Sequence, residues 1–378
     1  MAITGNKGEW SELYVFLRLL ADGEIFAADE NLNKINSMFF PILKIIREET
    51  IGKRKDYYTG SDIRICVDDE IIEIPAKRFS EEAEYLLMQI KATSGKPLTS
   101  EKTEDFMKVI NVERLKSRRR NKADIIIQIH DIQTGYKPEV GFSIKSKLGE
   151  PATLLNASKA TNFIFKIVGK RDKLEYIKKN LVAIQGVKKP TNQNKSIGVK
   201  EILFEIEKLK CGLKFYATDD RFSNNLMMTD SLMPIIISEM LTTYYSGKTK
   251  NTVKAIVEQL INDNPLSIKQ EKATIFYTHK AKSLLCAIAL GMVATVEWNG
   301  TDEATGGYIV VKENGDVVAY HIYNRDKFKD YLFINTKFET SQRFDSLPPS
   351  KKKGFDYGYI YGNDDKLFIK LNLQIRFL

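Results

Sequence analysis

Hydrophobic and polar positions alternate most cleanly between Ile125 and Ile144, where two apolar-alternating runs flank a turn through Thr134-Gly135. Period-two alternation on both sides of a glycine-containing turn predicts a β-hairpin. With the turn centred between Thr134 and Gly135, Ile125 pairs with Ile144, Ile127 with Phe142 and Ile129 with Val140, and every apolar residue shares one face. The same register sets Asp124 opposite Lys145, with Ser143 beside the lysine on the polar face. The N-terminal segment follows a different period. Asn6 with Glu9 reads as a capping box, and Trp10, Leu13, Tyr14, Val15, Phe16, Leu17, Leu19 and Leu20 fill a helix that stops at Asp22-Gly23. A helix apolar nearly all round is buried. Glu12 then needs a partner or a metal, unless it lies on the narrow polar side.

Along the rest of the chain the pattern predicts a second helix from Leu32 to Glu49, interrupted at Pro41, and a hairpin from Tyr57 to Pro75 turning at Asp68-Asp69. Further helices are expected from Ser80 to Gln89 and from Glu104 to Val112, then a strand from Asn162 to Val168. Lys170 to Lys214 is lysine-rich and mostly helical, with a loop at 188–194. Asp219 to Asn262 reads as two helices split at Gly247, and Ile275 to Leu290 as another. After Gly291 come short β-rich runs: Val293 to Trp298, Gly307 to Val311, Val317 to Tyr323, Leu332 to Asn335, Tyr357 to Tyr361 and Leu367 to Phe377. Turns fall at Asn299-Gly300 and Asn314-Gly315. Three regions result: a mixed α/β region over 1–170, a mostly helical region over 171–290, and a β-rich region over 291–378 that carries a basic loop from Arg343 to Lys353.

Composition narrows the class. A chain of 378 residues has room for two or three domains, and 43% apolar with 28% charged residues describes an ordinary soluble protein. Three widely spaced cysteines form neither a disulfide framework nor a zinc pattern and fit a reducing cytoplasm; three histidines argue against a histidine-rich metal site. Neither a signal peptide nor a membrane span is expected. A net charge of +9 favours a polyanionic partner, nucleic acid ahead of an anionic membrane. Arg114 to Lys122 places six cations in nine residues directly before Asp124, a stretch suited to phosphate contact and otherwise a solvated loop. Asn156 and Ser158 lie in a run of hydroxyl, amide and small residues that can also hold a backbone phosphate, or form a polar turn.

Neither histidines nor cysteines cluster, no P-loop is present, and His321 reads as an ordinary strand residue because no histidine follows it. The set Asp124, Ser143 and Lys145 carries more chemistry. Phosphodiester hydrolysis needs a metal to activate water and neutralise charge on phosphorus, and a nearby lysine to position that water. Asp124, eighteen intervening residues, then Ser143-Ile144-Lys145 resembles the PD-(D/E)xK nuclease arrangement, with Ser143 where the second acid belongs. Since a hydroxyl is a poor Mg²⁺ ligand, another carboxylate should complete the site. Glu12 on the first helix is the choice, because the resemblance to that arrangement implies a glutamate on this helix; Glu139 is second, since paired with His130 in this register it lies too far along the strand without a bulge. A plain cross-strand ion pair between Asp124 and Lys145 is the competing account.

The surrounding wording is more specific. Lys7-Gly-Glu-Trp-Ser-Glu-Leu-Tyr, Glu30-Asn-Leu-Asn-Lys-Ile, Gly141-Phe-Ser-Ile-Lys-Ser-Lys-Leu-Gly, Thr153-Leu-Leu-Asn-Ala-Ser-Lys-Ala-Thr-Asn-Phe and Leu367-Phe-Ile-Lys-Leu-Asn-Leu-Gln-Ile-Arg-Phe together resemble the HpaII family of type II restriction endonucleases. The likeness touches both ends and the central hairpin. It implies a PD-(D/E)xK core, a mixed sheet flanked by helices within an α+β or α/β fold, and Mg²⁺-dependent cleavage of double-stranded DNA at a short palindromic site, CCGG for the family's namesake. On this resemblance Asp124 and Lys145 take the catalytic positions and Ser143 the acidic slot. Asp124 and Glu12 are expected to hold Mg²⁺, with the Ile144 carbonyl as a further ligand. Arg118, Arg119, Arg120, Lys122, Lys147, Asn156 and Ser158 are expected on the DNA backbone, and Arg343, Lys351, Lys352 and Lys353 near the bases. A homodimer matches a palindrome, and a cognate DNA methyltransferase is the expected genetic partner. A non-catalytic DNA-binding protein with a degenerate site, or a structure-specific repair nuclease, fits the same residues.

Overall fold

The N-terminal helix forms as its caps dictate. In a computed structural model, which describes residues 2–378 apart from 68–69, 95–96, 118–122, 133, 182–197, 322–323, 342–355 and 364–365, α1 spans Lys7–Asp22. The Asn6 side chain accepts from Glu9 N at 3.0 Å and Glu9 accepts from Asn6 N at 2.9 Å, satisfying two helix-end donors. Gly23 ends the helix at φ 68°. The chain continues through β1 (Glu24–Ala28), β2 (Lys34–Thr50), β3 (Lys53–Tyr58), β4 (Asp62–Val67), β5 (Glu70–Pro75), α2 (Ala76–Ala92), α3 (Glu101–Val109), β6 (Ile125–Ile129) and β7 (Glu139–Ser146). There follow β8 (Thr153–Leu155), β9 (Asn162–Val168), α4 (Arg171–Lys179), α5 (Val199–Lys208), β10 (Gly212–Thr218), α6 (Asp220–Thr229), α7 (Met233–Tyr245), α8 (Val253–Asp263) and α9 (Gln270–Leu290). The last elements are β11 (Gly307–Val311), β12 (Val317–His321), α10 (Arg325–Ile334), β13 (Thr336–Phe338), β14 (Ile360–Asn363), β15 (Lys366–Asn372) and β16 (Ile375–Phe377).

Two units emerge, residues 1–152 with 302–331, and 153–301 with 332–378. The division differs from the three sequence regions because β11 and β12, expected with the C-terminal β-rich region, pair into the sheet of the first unit. That sheet runs β1-β12-β11-β7-β6-β2-β3-β4-β5, and the additional β1–β2 pairing closes six of its nine strands into a ring. It is mixed: β7–β11 and β1–β12 are parallel, the other pairs antiparallel. Side chains of α1 (Leu13, Phe16, Leu17, Leu20) and α2 (Leu86) share one core with Ile45, Ile127, Phe142 and Ile309 of the sheet. Each such burial stabilises by about 1.5–3 kcal/mol.

The long strand β2 replaces the helix expected from Leu32 to Glu49. The Asp29 carboxylate accepts from Asn31 N at 2.9 Å and Asn33 N at 2.8 Å, reversing the chain so that β2 returns along β1. Its apolar run then lies between β3 and β6, and tertiary pairing overrides the helical reading of a run without clear period. The β6–β7 hairpin also departs from expectation, by two residues: Ile125 pairs with Phe142, Ile127 with Val140 and Gln128 with Glu139. Asp131 sets this register. Its N–H donates to Tyr136 O at 2.9 Å, its side chain takes the Thr134 hydroxyl, and Gly135 turns at φ 74°, so the loop is longer than the two-residue turn first assigned. A shift of two preserves the faces.

In the second unit, a four-stranded sheet β10-β9-β15-β14 and a three-stranded sheet β13-β16-β8 accompany the helices. Strand β9 covers Asn162–Val168, as its alternation predicted. Gly212–Thr218 is a strand, so the helical expectation ending at Lys214 fails over its last three residues, where Leu213 and Lys214 pair with β9. The region after Asp219 makes three helices, because Asp230 and Leu232 introduce a break ahead of the one at Gly247. Residues 293–298 form no strand, and 332–334 finish α10. The 188–194 loop lies outside the described residues. Among the described residues no helix is long and apolar enough to cross a membrane.

Candidate active site

Asp124 stands one residue before β6, and its N–H donates to Phe142 O at 2.8 Å, prolonging the ladder. The observed register therefore sets Asp124 beside Ser143 instead of opposite Lys145. Ser143 Oγ donates to Asp124 Oδ2 at 3.1 Å, and Ile144 N donates to the same oxygen at 2.9 Å. Lys145 Nζ donates to Ser143 Oγ at 3.0 Å. Ammonium, hydroxyl and carboxylate thus form one hydrogen-bonded chain, with Ser143 only 4% exposed. The parallel neighbour β11 sets Tyr308 beside Ser143, and Lys145 Nζ lies 5.2 Å from the Tyr308 ring centroid, a cation–π contact. Ser143 and Tyr308, which both contact Lys145, lie on neighbouring central strands of the sheet.

Asp124 lines a cleft of about 70 Å³ with Glu48, Arg54, Ser117, Ala123 and Glu139 among its walls. Glu139 is held by cations within the sheet: Arg54 Nη2 reaches it at 2.6 Å and Lys44 Nζ at 3.4 Å. The Arg54 hydrogen bond holds the Glu139 carboxyl below its ordinary range, against the opposing effect of burial. Glu139 pairs with Gln128, not His130. Glu48, whose Oε1 accepts from Gly52 N at 2.9 Å, is a cleft carboxylate that the sequence did not reveal, because its strand was read as a helix. Hydrogen bonding was equally hidden for Ser117, whose Oγ meets both Glu48 N and Glu48 O at 3.1 Å.

Glu12 is partly buried, and Lys116 Nζ lies 3.6 Å from its Oε1 and 3.3 Å from Glu9 Oε1. The preceding residue, Ser11, places Oγ 2.9 Å from Ser146 Oγ, so α1 meets β7 one residue beyond Lys145. Lys116 belongs to the basic stretch before Asp124, and the chain just ahead of it is anchored from below. Buried Glu49 receives Arg47 at 3.0 Å, Lys55 at 3.1 Å and the N–H groups of Glu113 and Arg114. Burial raises the Glu49 carboxyl, but Arg47, the Glu113 N–H and Lys55 outweigh it and hold the group below its ordinary value. A cavity of about 680 Å³ lies over this segment, lined in part by Glu9, Glu49, Arg114 and Lys116.

Of the residues expected on DNA, Arg118, Arg119, Arg120, Lys122, Arg343, Lys351, Lys352 and Lys353 lie outside the described residues. Lys147 directly follows β7, its N–H bonded to Val311 O at 2.9 Å. Asn156 is exposed. Ser158 has a buried Oγ that lacks a hydrogen-bond partner among the described residues. Its carbonyl instead accepts from Asn372 Nδ2 at 2.9 Å, and the same amide reaches Thr161 Oγ1 and Asn162 Oδ1. Two of the sequence segments singled out above thus meet through Asn372.

A family model described as HpaII restriction endonuclease matches residues 6–377. The chain is 40% identical over 385 aligned positions to the type II restriction enzyme HpaII of Haemophilus parainfluenzae, with 99% of each protein covered. No solved structure matches it.

Proposed function

The chain belongs to the HpaII restriction endonuclease family, and we propose that Asp124, Ser143 and Lys145 are the centre with which it hydrolyses DNA. The protein is a type II site-specific deoxyribonuclease acting on double-stranded DNA. What supports this location for the chemistry is the hydrogen-bonded chain from Lys145 through Ser143 to Asp124.

Among the described residues no group of three or more His, Cys, Asp or Glu side chains could hold a metal alone. A sparse set of oxygen donors, two carboxylates and a backbone carbonyl, would suit Mg²⁺, which is held by one or two carboxylates and completes its shell with water and substrate phosphate. In this reading Asp124 is the principal ligand, with the Ile144 carbonyl and Glu12 as further ligands. Bound Mg²⁺ supplies an activated water and neutralises charge developing on phosphorus. The Ile144 N–H and Ser143 hydroxyl fix the Asp124 carboxylate, so it is oriented before substrate arrives. Lys145, aimed by Ser143 and Tyr308, positions the attacking water and offsets negative charge in the transition state.

The target in this reading is a short palindrome, CCGG-like, met by a two-fold symmetric homodimer in the cytoplasm of a cell that carries the protective methyltransferase. Digestion of unmethylated plasmid with Mg²⁺, followed by end mapping, tests it. Discrete fragments sharing one palindromic end are expected. An uncut plasmid that the protein still binds points to a DNA-binding module, and cleavage restricted to junctions or flaps points to a repair nuclease.

A further inference from the structure

The four-stranded sheet of the second unit buries one face and leaves the other partly exposed. Phe163, Phe165 and Ile167 of β9 point inward and are fully buried. On the opposite face one row crosses all four strands: Lys214 pairs with Lys166, Lys166 with Phe368, and Phe368 with Tyr361. The Tyr216 ring centroid lies 5.1 Å from that of Phe368, and Tyr361 stacks on Phe368 at 5.8 Å. These two tyrosines shield Phe368, which is 4% exposed, while Tyr216 itself is 63% exposed. Lys370 extends over Tyr361, its Nζ 5.3 Å from the ring centroid, and pairs with Asp356 at 2.7 Å. Among the described residues, no carboxylate comes within ion-pair distance of Lys166 or Lys214.

An outward sheet face usually carries polar residues that need no further partner. This one combines a stiff aromatic platform with two ammonium groups spaced by a single strand separation, about 4.7–4.9 Å between backbones. Such a pair of cations on a protein of net charge +9 complements a polyanion. We propose that this face takes the sugar–phosphate backbone of the duplex substrate. Lys166 and Lys214 meet phosphates, and Tyr216 donates its hydroxyl to the same backbone. Duplex bases remain stacked, so the rings serve as a rigid base for these donors, which position the DNA without reading its sequence. The proposal rests on the DNA-cleaving reading above.

Each phosphate neutralised adds about 0.9 to the slope of log affinity against log salt on duplex DNA. The test is binding of the full chain to a duplex containing its target, without divalent metal, between 50 and 200 mM salt. The Lys166→Ala/Lys214→Ala double variant is expected to lose about 1.8 from the slope. Its binding defect should therefore be about tenfold larger at the low-salt end than at the high-salt end. Lys166→Arg/Lys214→Arg should keep the wild-type slope. An unchanged slope in the alanine variant overturns the proposal, as does an unchanged slope with altered sedimentation, which makes the face a contact between copies of the chain. The two readings fail separately. A wild-type protein that cuts no plasmid overturns the activity, whereas wild-type cleavage with an unaltered variant slope overturns only the surface.

Discussion

The hydroxyl of Ser143 donates to the carboxylate of Asp124 at 3.1 Å, from the strand position where the PD-(D/E)xK pattern has its second acid. The same oxygen accepts from Lys145 at 3.0 Å. Serine thus links Asp124 and Lys145, the two groups proposed for the chemistry, without adding a second negative charge beside Asp124. Its contribution is placement.

Ser143→Ala removes that link while leaving Asp124 and Lys145 present. A hydrogen bond to a charged group is worth about 1.5–3 kcal/mol, or roughly ten- to a hundredfold in rate. Single-turnover cleavage should slow by that factor with DNA affinity retained. A wild-type rate would show that Lys145 is held by other contacts.

Gly141 on β7 leaves room for Ala123: a Cβ added there would lie 2.7 Å from the Ala123 Cβ. Gly141→Ala should force Ala123 aside, and Asp124 with it. Overpacking of this kind costs about 1–3 kcal/mol. Denaturant titration should register the loss, and cleavage should fall further than stability alone accounts for.

Glu49 is 1% exposed at its side chain and joins Arg47, Lys55 and the backbone of residues 113–114. Glu49→Ala removes the buried carboxylate that Arg47 and Lys55 share, leaving Lys55 only Glu113 at 3.7 Å, and destabilises by about 3–5 kcal/mol. Its carboxyl is held below the ordinary value, so the folded state binds this proton less readily than the unfolded chain. The stabilisation is present above the unfolded glutamate pKa of about 4.3 and is lost as pH falls through the depressed folded value. Thermal melts of wild type should show that acid-side loss, and melts of Glu49→Gln should show less of it.

Glu12 is the carboxylate proposed to join Asp124, and in the structure Lys116 engages it. Glu12→Gln should raise the Mg²⁺ concentration needed for half-maximal cleavage. If the metal titration is unchanged and only the melting temperature moves, the Glu12–Lys116 pair is structural.

Much of this was legible because short-range signals agreed with long-range packing. Asn6, Glu9 and Gly23 bracket α1 by their own chemistry, and alternation located β9 and β11 without help from the rest of the fold. The polar face of the hairpin was legible although its register was not: Asp131 closes a longer loop, and a two-residue slip returns every side chain to the face it left. For that reason Asp124, Ser143 and Lys145 were recognised together while the opposed pair was misassigned. β2 was illegible because its apolar run has no decisive period, and its strand state comes from β3 and β6, which flank it. Glu48 was lost with it. Lys116, which engages Glu12, and the N–H groups of Glu113 and Arg114, which reach Glu49, lie more than sixty positions away, and no local pattern announces such pairings.

The most direct test compares cleavage and binding in Asp124→Ala and Lys145→Ala on a duplex containing the target, with Mg²⁺ for cleavage and without metal for binding. Both variants are expected to lose cleavage while binding the duplex about as tightly as wild type. Cleavage by either variant at near the wild-type rate would contradict the assignment of this hairpin as the active site.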